Sequence, residues 1–402
     1  MILQDKRIVL GITGGIAAYK AVEVASRLVK SGAQVDVVMT PSATQFVGAL
    51  TFQAITGRPV LMEMFALLRE TDIAHVSLAH RADLMIIAPL TANTLAKLTH
   101  GMADNLLSAT ALATRAPLLL APAMETGMWE NLLTQVNLVR LREARDVTLV
   151  GPAEGRLASG QVGVGRMAEP AEIVDAARWV MGRAGLLRGQ RVIVTAGGTR
   201  EPMDPVRVFT NRSSGRMGVA LASAARDAGV EVVLIHTPGV PPAPWGARGI
   251  AVETAQEMRG AVLAAIADAD ALIMAAAVAD YRPAQTSEQK IKKTAGSLVV
   301  RMERTPDILS EVSARRTELP RLRVVIGFAA ETERLVENAR DKLQRKRLEL
   351  IVANDARAAM GANTNRVTLI AADGSVEELP LLPKDEVAER VIARLTALLP
   401  VE

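Results

Sequence analysis

The sequence predicts an α/β fold of two doubly wound domains, and three observations carry the prediction. The chain has 402 residues, half of them apolar, enough for two cores of roughly 150–200 residues each. A strand–glycine turn–helix–strand unit opens the chain and recurs from residue 190, which is the pattern of a βαβ unit in a parallel sheet. The other strand candidates are nearly continuous apolar runs, as suits strands covered by helices on both faces.

In order, "KRIVLGITGG" (6–15) is a short apolar run ending in glycines. "IAAYKAVEVASRLVKSG" (16–32) has helical spacing and a glycine stop, and "AQVDVVMT" (33–40) is the next strand. "ADLMIIAP" (82–89), "APLLLAP" (116–122) and "DVTLVG" (146–151) continue the first sheet. "MGRAGLLRGQ" (181–190) is rich in Gly and Arg and marks the boundary, giving domains 1–185 and 186–402. The second domain repeats the pattern with "QRVIVTAGGT" (190–199), a helix in 215–229 and "VEVVLIHT" (230–237). "ADALIMAAAV" (269–278), "RVVIGFAA" (323–330) and "ELIVAND" (349–355) follow. Between the domains' elements lies "EGRLASGQVGVGRM" (154–167), with Gly155, Gly160, Gly163 and Gly165. Glycine weakens both strand and helix, so this stretch is expected to be a mobile loop over a site.

Composition narrows the function. There is no cysteine, so disulfides, thiolate metal sites and a cysteine nucleophile or acid are all excluded. Four histidines make a multi-His zinc site an unpromising reading. The net charge of +4, without a basic run interleaved with aromatics, fits small anionic ligands rather than nucleic acid. No apolar run reaches the ~18 residues of a membrane span. The chain enters a strand at once, without a secretory leader pattern. The expected setting is cytoplasmic.

Ligands of such sheets bind at the carboxyl ends of the strands. Gly14–Gly15 follows the first strand and opens a helix, where free N–H groups favour a phosphate; taken alone it reads equally as a tight turn that needs small residues. Gly197–Gly198 is a weaker signal, because residues 199–213 separate it from its helix. "KIKK" (290–293) places Lys290, Lys292 and Lys293 together, either as a solvated face or as cations for an anionic ligand.

Longer motifs go further. "GGIAAYK" (14–20), "AHVSLAH" (74–80), "PLTANT" (89–94), "GMADNLL" (101–107), "PAMETGMW" (122–129) and the glycine-rich loop occur in order. The first half resembles the flavin-dependent cysteine decarboxylases, whose fold is flavodoxin-like. "TAGGTREPMDPVRVFTNRSSGRMG" (195–218), "AAAVADYRP" (275–283), "KIKK", "TPDIL" (305–309), "GFAAET" (327–332) and "ANDA" (353–356) resemble phosphopantothenoylcysteine synthetases, with a Rossmann-like ligase domain. The fused order is similar to the bifunctional coenzyme A biosynthesis family of bacteria.

That resemblance implies that the second domain joins cysteine to 4'-phosphopantothenate with CTP and Mg²⁺, through an acyl-cytidylate. The first domain then decarboxylates the product with FMN. Bringing a carboxylate to a triphosphate needs cations to offset repulsion. By resemblance Lys290 is the essential lysine and Asn211 handles the acyl-cytidylate. Met274, Ala275, Ala276, Asp280, Phe328, Lys342 and Lys346, with the turn Pro306, Asp307, Ile308 and Leu309, contact the nucleotide. On the residues alone, Phe328 is equally a core aromatic, and Lys342 and Lys346 a solvated helix face. Arg347 stands where a glycine is more usual.

In the first half the resemblance makes Gly14, Gly15, Ile16 and Ala17 the FMN phosphate turn, with Thr40 and Ser42 as hydroxyl donors. Asn93 holds flavin or substrate, and His75 assists thiol oxidation; alone, His75 also reads as a structural histidine. Two positions depart from the pattern. Glu125 replaces an asparagine that binds the departing carboxylate, and an ionised Glu there repels it. Ser159 replaces a cysteine that protonates the enethiol; a thiol of pKa about 8.5 is an acid near neutrality, whereas an alkyl hydroxyl is far weaker. A slowed or altered decarboxylation is the expectation, unless another acid takes over. Three readings follow: a bifunctional enzyme, a ligase whose FMN domain is an oligomerisation scaffold, and a non-catalytic flavoprotein that regulates a partner. Lys290, Asn211 and Asp280 argue against the third. By resemblance alone, flavin-domain trimers and ligase-domain dimers build a dodecamer.

Overall fold

The computed structural model describes residues 2–64, 74–293, 297–331, 333–355 and 362–400. Thr332 and Ala356, the last residues of two of the motifs above, lie outside the described residues. The chain divides into two compact units, Met1–Met181 and Gly182–Glu402. Among the described residues, no helix is long and apolar enough to cross a membrane.

The first unit is built on β1 (Arg7–Ile12), β2 (Gln34–Met39), β3 (Leu84–Leu90), β4 (Leu118–Pro122) and β5 (Val147–Leu149). They form one sheet in the order β2-β1-β3-β4-β5, with every pairing parallel. This is the flavodoxin-like order, which reverses direction between β1 and β3. β3 and β4 are buried along their whole length, which accounts for their unbroken apolar sequence. Helix α1 (Ala18–Lys30) buries Ala21, Val24, Ala25 and Leu28, a helical i, i+3, i+4, i+7 stripe. Helices α2 (Ala49–Thr56), α3 (Ala74–Arg81), α4 (Ala92–Thr99), α5 (Leu106–Ala113), α6 (Thr126–Trp129), α7 (Leu132–Ala144) and α8 (Pro170–Gly182) complete the layers. Asn105 of the "GMADNLL" motif caps α5 through a reciprocal bond pattern with Ser108, and Leu106 to Ala111 are then buried.

The expected mobile loop at 154–167 is instead an antiparallel hairpin, β6 (Ala153–Arg156) and β7 (Val162–Arg166). Its glycines do not weaken it, because two of them permit contact. A Cβ on Gly163 would collide with the Thr126 hydroxyl, and one on Gly165 with the Met124 carbonyl oxygen. The propensity argument failed here because close packing outweighed it.

The second unit holds an eight-stranded sheet. Its parallel part contains β8 (Arg191–Ala196), β11 (Glu231–His236), β12 (Arg248–Ala251), β13 (Ala271–Met274), β16 (Val324–Glu331) and β17 (Leu350–Asp355). Strands β19 (Val367–Ala371) and β20 (Val376–Glu378) extend it antiparallel, giving the order β12-β11-β8-β13-β16-β17-β19-β20. These last two strands and β12 were not read from the sequence. Short pairs flank the sheet: β9 (Arg200–Pro202) with β10 (Val208–Thr210), β14 (Tyr281–Pro283) with β15 (Met302–Arg304), and β18 (Thr364–Asn365) with β21 (Leu382–Pro383). One face packs α9 (Arg216–Asp227) and α13 (Lys384–Leu398) through Leu221, Ala225, Val387 and Val391. The other packs α10 (Ala255–Ala265), α11 (Ile308–Ala314) and α12 (Leu335–Arg345) through Met258, Val262, Val312 and Leu343. Helices on both faces make the parallel part doubly wound.

Candidate active sites

In the first unit the candidate residues gather at one edge of the sheet because the strands are parallel and adjacent. Gly14 to Ala17 follow β1, Thr40 and Ser42 follow β2, Asn93 follows β3 and Glu125 follows β4. α3 precedes β3 and returns against the strand direction, so His75 in its first turn comes to the same carboxyl edge. Gly14 is demanded by space: a Cβ there would overlap Ser42 Cβ. The β1 turn and the segment after β2 are thus in contact. Thr13 closes the neighbouring seam, donating to the Pro89 carbonyl at 2.7 Å and accepting from the Thr91 N–H at 3.2 Å.

Ala17 gives α1 no side-chain cap. The Ala18 and Lys20 N–H groups turn back onto the Gly15 and Ala17 carbonyls at 2.9 and 3.0 Å. Among the described residues, the N–H groups of the Gly14 to Ala17 turn are left for an external acceptor, with the exposed Ser42 hydroxyl alongside. Thr40, by contrast, is buried and its hydroxyl lies 3.4 Å from the Ile12 carbonyl. Ile16 and Asn93 are exposed. Among the described residues, the His75 Nδ1 and the Thr126 hydroxyl are buried without a hydrogen-bond partner. Such orphaned polar atoms ask for a partner. Open amides in the Gly14 to Ala17 turn, a glycine cradle and orphaned polar atoms along one edge fit a phosphorylated planar cofactor such as FMN.

The two positions that depart from the motif pattern meet. The Ser159 hydroxyl, at the tip of the β6–β7 hairpin, donates to Glu125 Oε1 at 3.1 Å. Farther along, the Met124 N–H donates to the Gly165 carbonyl at 3.0 Å. The hairpin is therefore seated on the β4–α6 segment by backbone and side chain. Nothing in the spacing of the sequence marks Glu125 and Ser159 as partners, since 34 residues separate them.

In the second unit a cleft of about 960 Å³ opens at the carboxyl edge of the sheet. Asn211, Met274, Ala275, Ala276, Asp280, Phe328, Lys342, Lys346 and the turn Pro306 to Leu309 all line it. Its walls follow from local rules. Gly218 lets α9 lie against the end of β8, where a Cβ would collide with Ala196. Asn211 donates to the carbonyls of Ala277 and Val278 at 3.4 and 3.1 Å, fixing its amide beside the β13 loop. Asp307 caps α11 by accepting from the Ser310 N–H at 3.0 Å and pairs with Lys346. Burial works to raise the Asp307 carboxyl, but the bond and charge of Lys346 and the bonds from Ser310 together outweigh it and hold the group below its ordinary range. Lys342 donates to the Phe328 carbonyl at 2.7 Å, and burial pushes its ammonium below the usual lysine value.

Seven cationic side chains face three carboxylates in this cleft, so it favours anions. Sequence reasoning missed Arg216, Asn365 and Lys384, which also line it. Lys290 is the one ligase candidate not among the lining residues. Its exposed stretch follows the β9–β10 hairpin, because the Ile291 N–H donates to Asp204 at 3.1 Å and Arg207 donates to the Ile291 carbonyl at 3.0 Å. Arg347, noted as unusual, has φ +50°, a left-handed backbone that glycine adopts at less cost.

Comparison with known proteins matches a separate family model to each of the two units. Residues 2–181 match the Flavoprotein family model, and residues 187–399 match the DNA/pantothenate metabolism flavoprotein C-terminal domain. The chain is 42% identical over 402 residues to the coenzyme A biosynthesis bifunctional protein CoaBC of Bacillus subtilis (strain 168), covering 98% of each. It is 44% identical over 395 residues to that of Vibrio cholerae serotype O1, covering 97% of this chain and 98% of the other. The crystal structure of the C-terminal domain of a coenzyme A biosynthesis bifunctional protein CoaBC aligns with TM-score 0.46 and 40% identity, over 53% of this chain and 97% of that one. At 42–44% identity to these two relatives over nearly the full length of both chains, this protein belongs to the bifunctional coenzyme A biosynthesis (CoaBC) family.

Proposed function

We propose that the chain carries out two consecutive reactions of coenzyme A biosynthesis: CTP-dependent ligation of cysteine to 4'-phosphopantothenate, then FMN-dependent decarboxylation of 4'-phosphopantothenoylcysteine to 4'-phosphopantetheine. The observation that carries the reading is the second unit's cationic cleft, lined by every ligase candidate but Lys290.

In this reading the substrate carboxylate attacks the α-phosphorus of CTP and pyrophosphate leaves. The cysteine amine then attacks the acyl carbon, CMP leaves and the amide forms. Lys342, Lys346 and the cleft's arginines offset the charge of the triphosphate, which carries Mg²⁺ on its oxygens. Asn211 binds the acyl-cytidylate with an uncharged amide that adds no repulsion. The small Ala275 and Ala276 leave room for the nucleotide beside Phe328 and Asp280. Lys290 is assigned to the phosphates by resemblance alone.

In the first unit the turn Gly14 to Ala17 and Ser42 bind the FMN phosphate, Thr40 lies behind them, and Asn93 orients the ring or the substrate. Bound FMN supplies the two-electron chemistry that allows CO₂ to leave. His75 holds the proton at the substrate thiol, and the hairpin excludes water. Ser159 and Glu125 engage each other where the family pattern has a thiol and an amide. That contact favours a second reading, in which the ligase is active and the FMN unit decarboxylates slowly while serving as an assembly scaffold. The family resemblance extends the proposal to a cytoplasmic dodecamer of flavin-domain trimers and ligase-domain dimers.

Incubation with 4'-phosphopantothenate, CTP, Mg²⁺ and cysteine, following CMP, pyrophosphate and CO₂ separately, tests both readings. CMP together with CO₂ at a matching rate supports the first reading. CMP with CO₂ lagging at least ~10-fold, relieved by Ser159→Cys with Glu125→Asn, supports the second. Absence of CMP refutes the ligase assignment.

A further inference from the structure

The cleft of the second unit contains a lysine that the ligase pattern leaves unused. Lys384 is the first residue of α13, lines the cleft and is only 9% exposed. Among the described residues its ammonium has no carboxylate, hydroxyl or carbonyl partner, whereas Lys342 is bonded to Phe328 and Lys346 to Asp307 and Ser310. Burial, and then the like charge of Arg216, press it below the ordinary lysine value. The residue is largely buried, yet its ammonium reaches the open cleft without a counter-charge among the described residues. An anion entering the cleft supplies that counter-charge.

The surroundings supply the rest of an anion site. Arg216 opens α9 and lines the same cleft. Its guanidinium is held by the Asn363 side-chain oxygen at 2.5 Å. α9 has neither a side-chain cap nor an acidic residue in its first turn, so its free N–H groups and positive dipole end stay available. Asn365, buried, lines the cleft nearby. The carboxylates of α13's first turn, Asp385 and Glu386, are exposed and are not among the cleft's lining residues. α9 and α13 pack on one face of the sheet, while α11 and α12, bearing Asp307, Lys342 and Lys346, pack on the other. Lys384 therefore stands across the cleft's width from Asp307, Lys342 and Lys346, on the face against which Ala275 and Phe328 pack.

We propose that Lys384, with Arg216 and the N-terminal amides of α9, binds a phosphoryl group of one of the two phosphorylated substrates. The proposal rests on the ligase reading for the identity of the substrate, but not for the anion chemistry. The group is a phosphate dianion, from the polyphosphate of the nucleotide or from the phosphate ester of the acyl substrate.

The test uses the full chain with Lys384→Met, which keeps the apolar stem, and Lys384→Arg, which keeps the charge. Pyrophosphate binding is measured by calorimetry, and KM and kcat are measured for CTP, 4'-phosphopantothenate and cysteine. Lys384→Met is expected to weaken pyrophosphate at least ~10-fold, with Lys384→Arg within about threefold of wild type. It is also expected to raise one phosphorylated substrate's KM by a similar factor while kcat and the cysteine KM stay within about twofold. A raised KM for CTP assigns the nucleotide's phosphates; a raised KM for 4'-phosphopantothenate assigns its ester. Because the free lysine is unpaired, Lys384→Met should melt no lower than wild type without ligand and gain less on adding pyrophosphate, the opposite of a structural role. Unchanged pyrophosphate affinity in Lys384→Met, or a lower melting point without ligand, overturns the proposal. If wild type makes no CMP yet Lys384→Met still loses pyrophosphate affinity, the ligase reading fails and the phosphoryl subsite stands.

Discussion

Gly165→Ala tests whether the hairpin glycines provide contact or mobility. Gly165 does not have a positive φ, so alanine meets no backbone obstacle, and space alone decides. The new methyl would overlap the Met124 carbonyl oxygen and lie 3.3 Å from Leu157 Cδ2. Restoring a carbon contact of ~3.5 Å requires β7 to retreat by roughly 1 Å. That movement stretches the 3.0 Å bond from the Met124 N–H to the Gly165 carbonyl beyond useful length, and draws Ser159 from Glu125. Overpacking costs ~1–3 kcal/mol and the lost backbone bond about 1 kcal/mol, so the variant loses ~2–4 kcal/mol. For a unit of this size each kcal/mol shifts the midpoint by about 2–4 °C, giving a fall of roughly 5–15 °C by calorimetry. The Met124 amide should also exchange faster with solvent. Gly127→Ala is the control, because nothing lies within 4 Å of its added Cβ, and it should be neutral or slightly stabilising. A Gly165→Ala protein that melts within 1 °C of wild type, with the Met124 amide still protected, would refute the contact argument.

Three further outcomes follow from the second unit. Arg347→Gly relieves a side chain at φ +50° and should raise stability by about 1 kcal/mol, seen as a higher urea midpoint; a lower midpoint contradicts the strain. The Lys342 ammonium lies below its ordinary value because burial disfavours the charge. The unfolded chain therefore binds more protons between the folded and unfolded values, and stability rises with pH across that window. Lys342→Met should flatten this slope in pH-dependent unfolding, and an unchanged slope counts against the assignment. Asp204→Ala removes the acceptor that holds the Ile291 N–H and Arg207. Ligase kcat should fall at least ~10-fold if the tether positions Lys290, with the far-ultraviolet spectrum unchanged; full activity would show that the tether is dispensable.

Apart from β12, whose positions are mostly exposed, the parallel strands were legible because burial on both faces makes them largely apolar. The antiparallel extension was not: Val367–Ala371 and Val376–Glu378 are short, and the exposed positions of the edge strand break the apolar run. Most ligase candidates were legible through their motifs, since glycines, small residues and a capped turn are local requirements. Lys384 carried only a faint signal, a cation opening a helix, where the dipole disfavours it. Its significance depends on burial and on what is absent around it, neither of which adjacent residues encode.

By itself the sequence determined the alternation of strands and helices, the two sheets and the carboxyl edges where ligands belong. Those properties follow from burial and backbone geometry over a few residues. Only the tertiary structure decided that the glycine-rich stretch is a seated hairpin and that Ser159 meets Glu125. It also decided that Lys384 faces the cleft with no carboxylate partner among the described residues and that Lys290 follows the β9–β10 hairpin. Each of these depends on groups far apart in the chain meeting within a few ångströms, and a distance of that kind has no local signature.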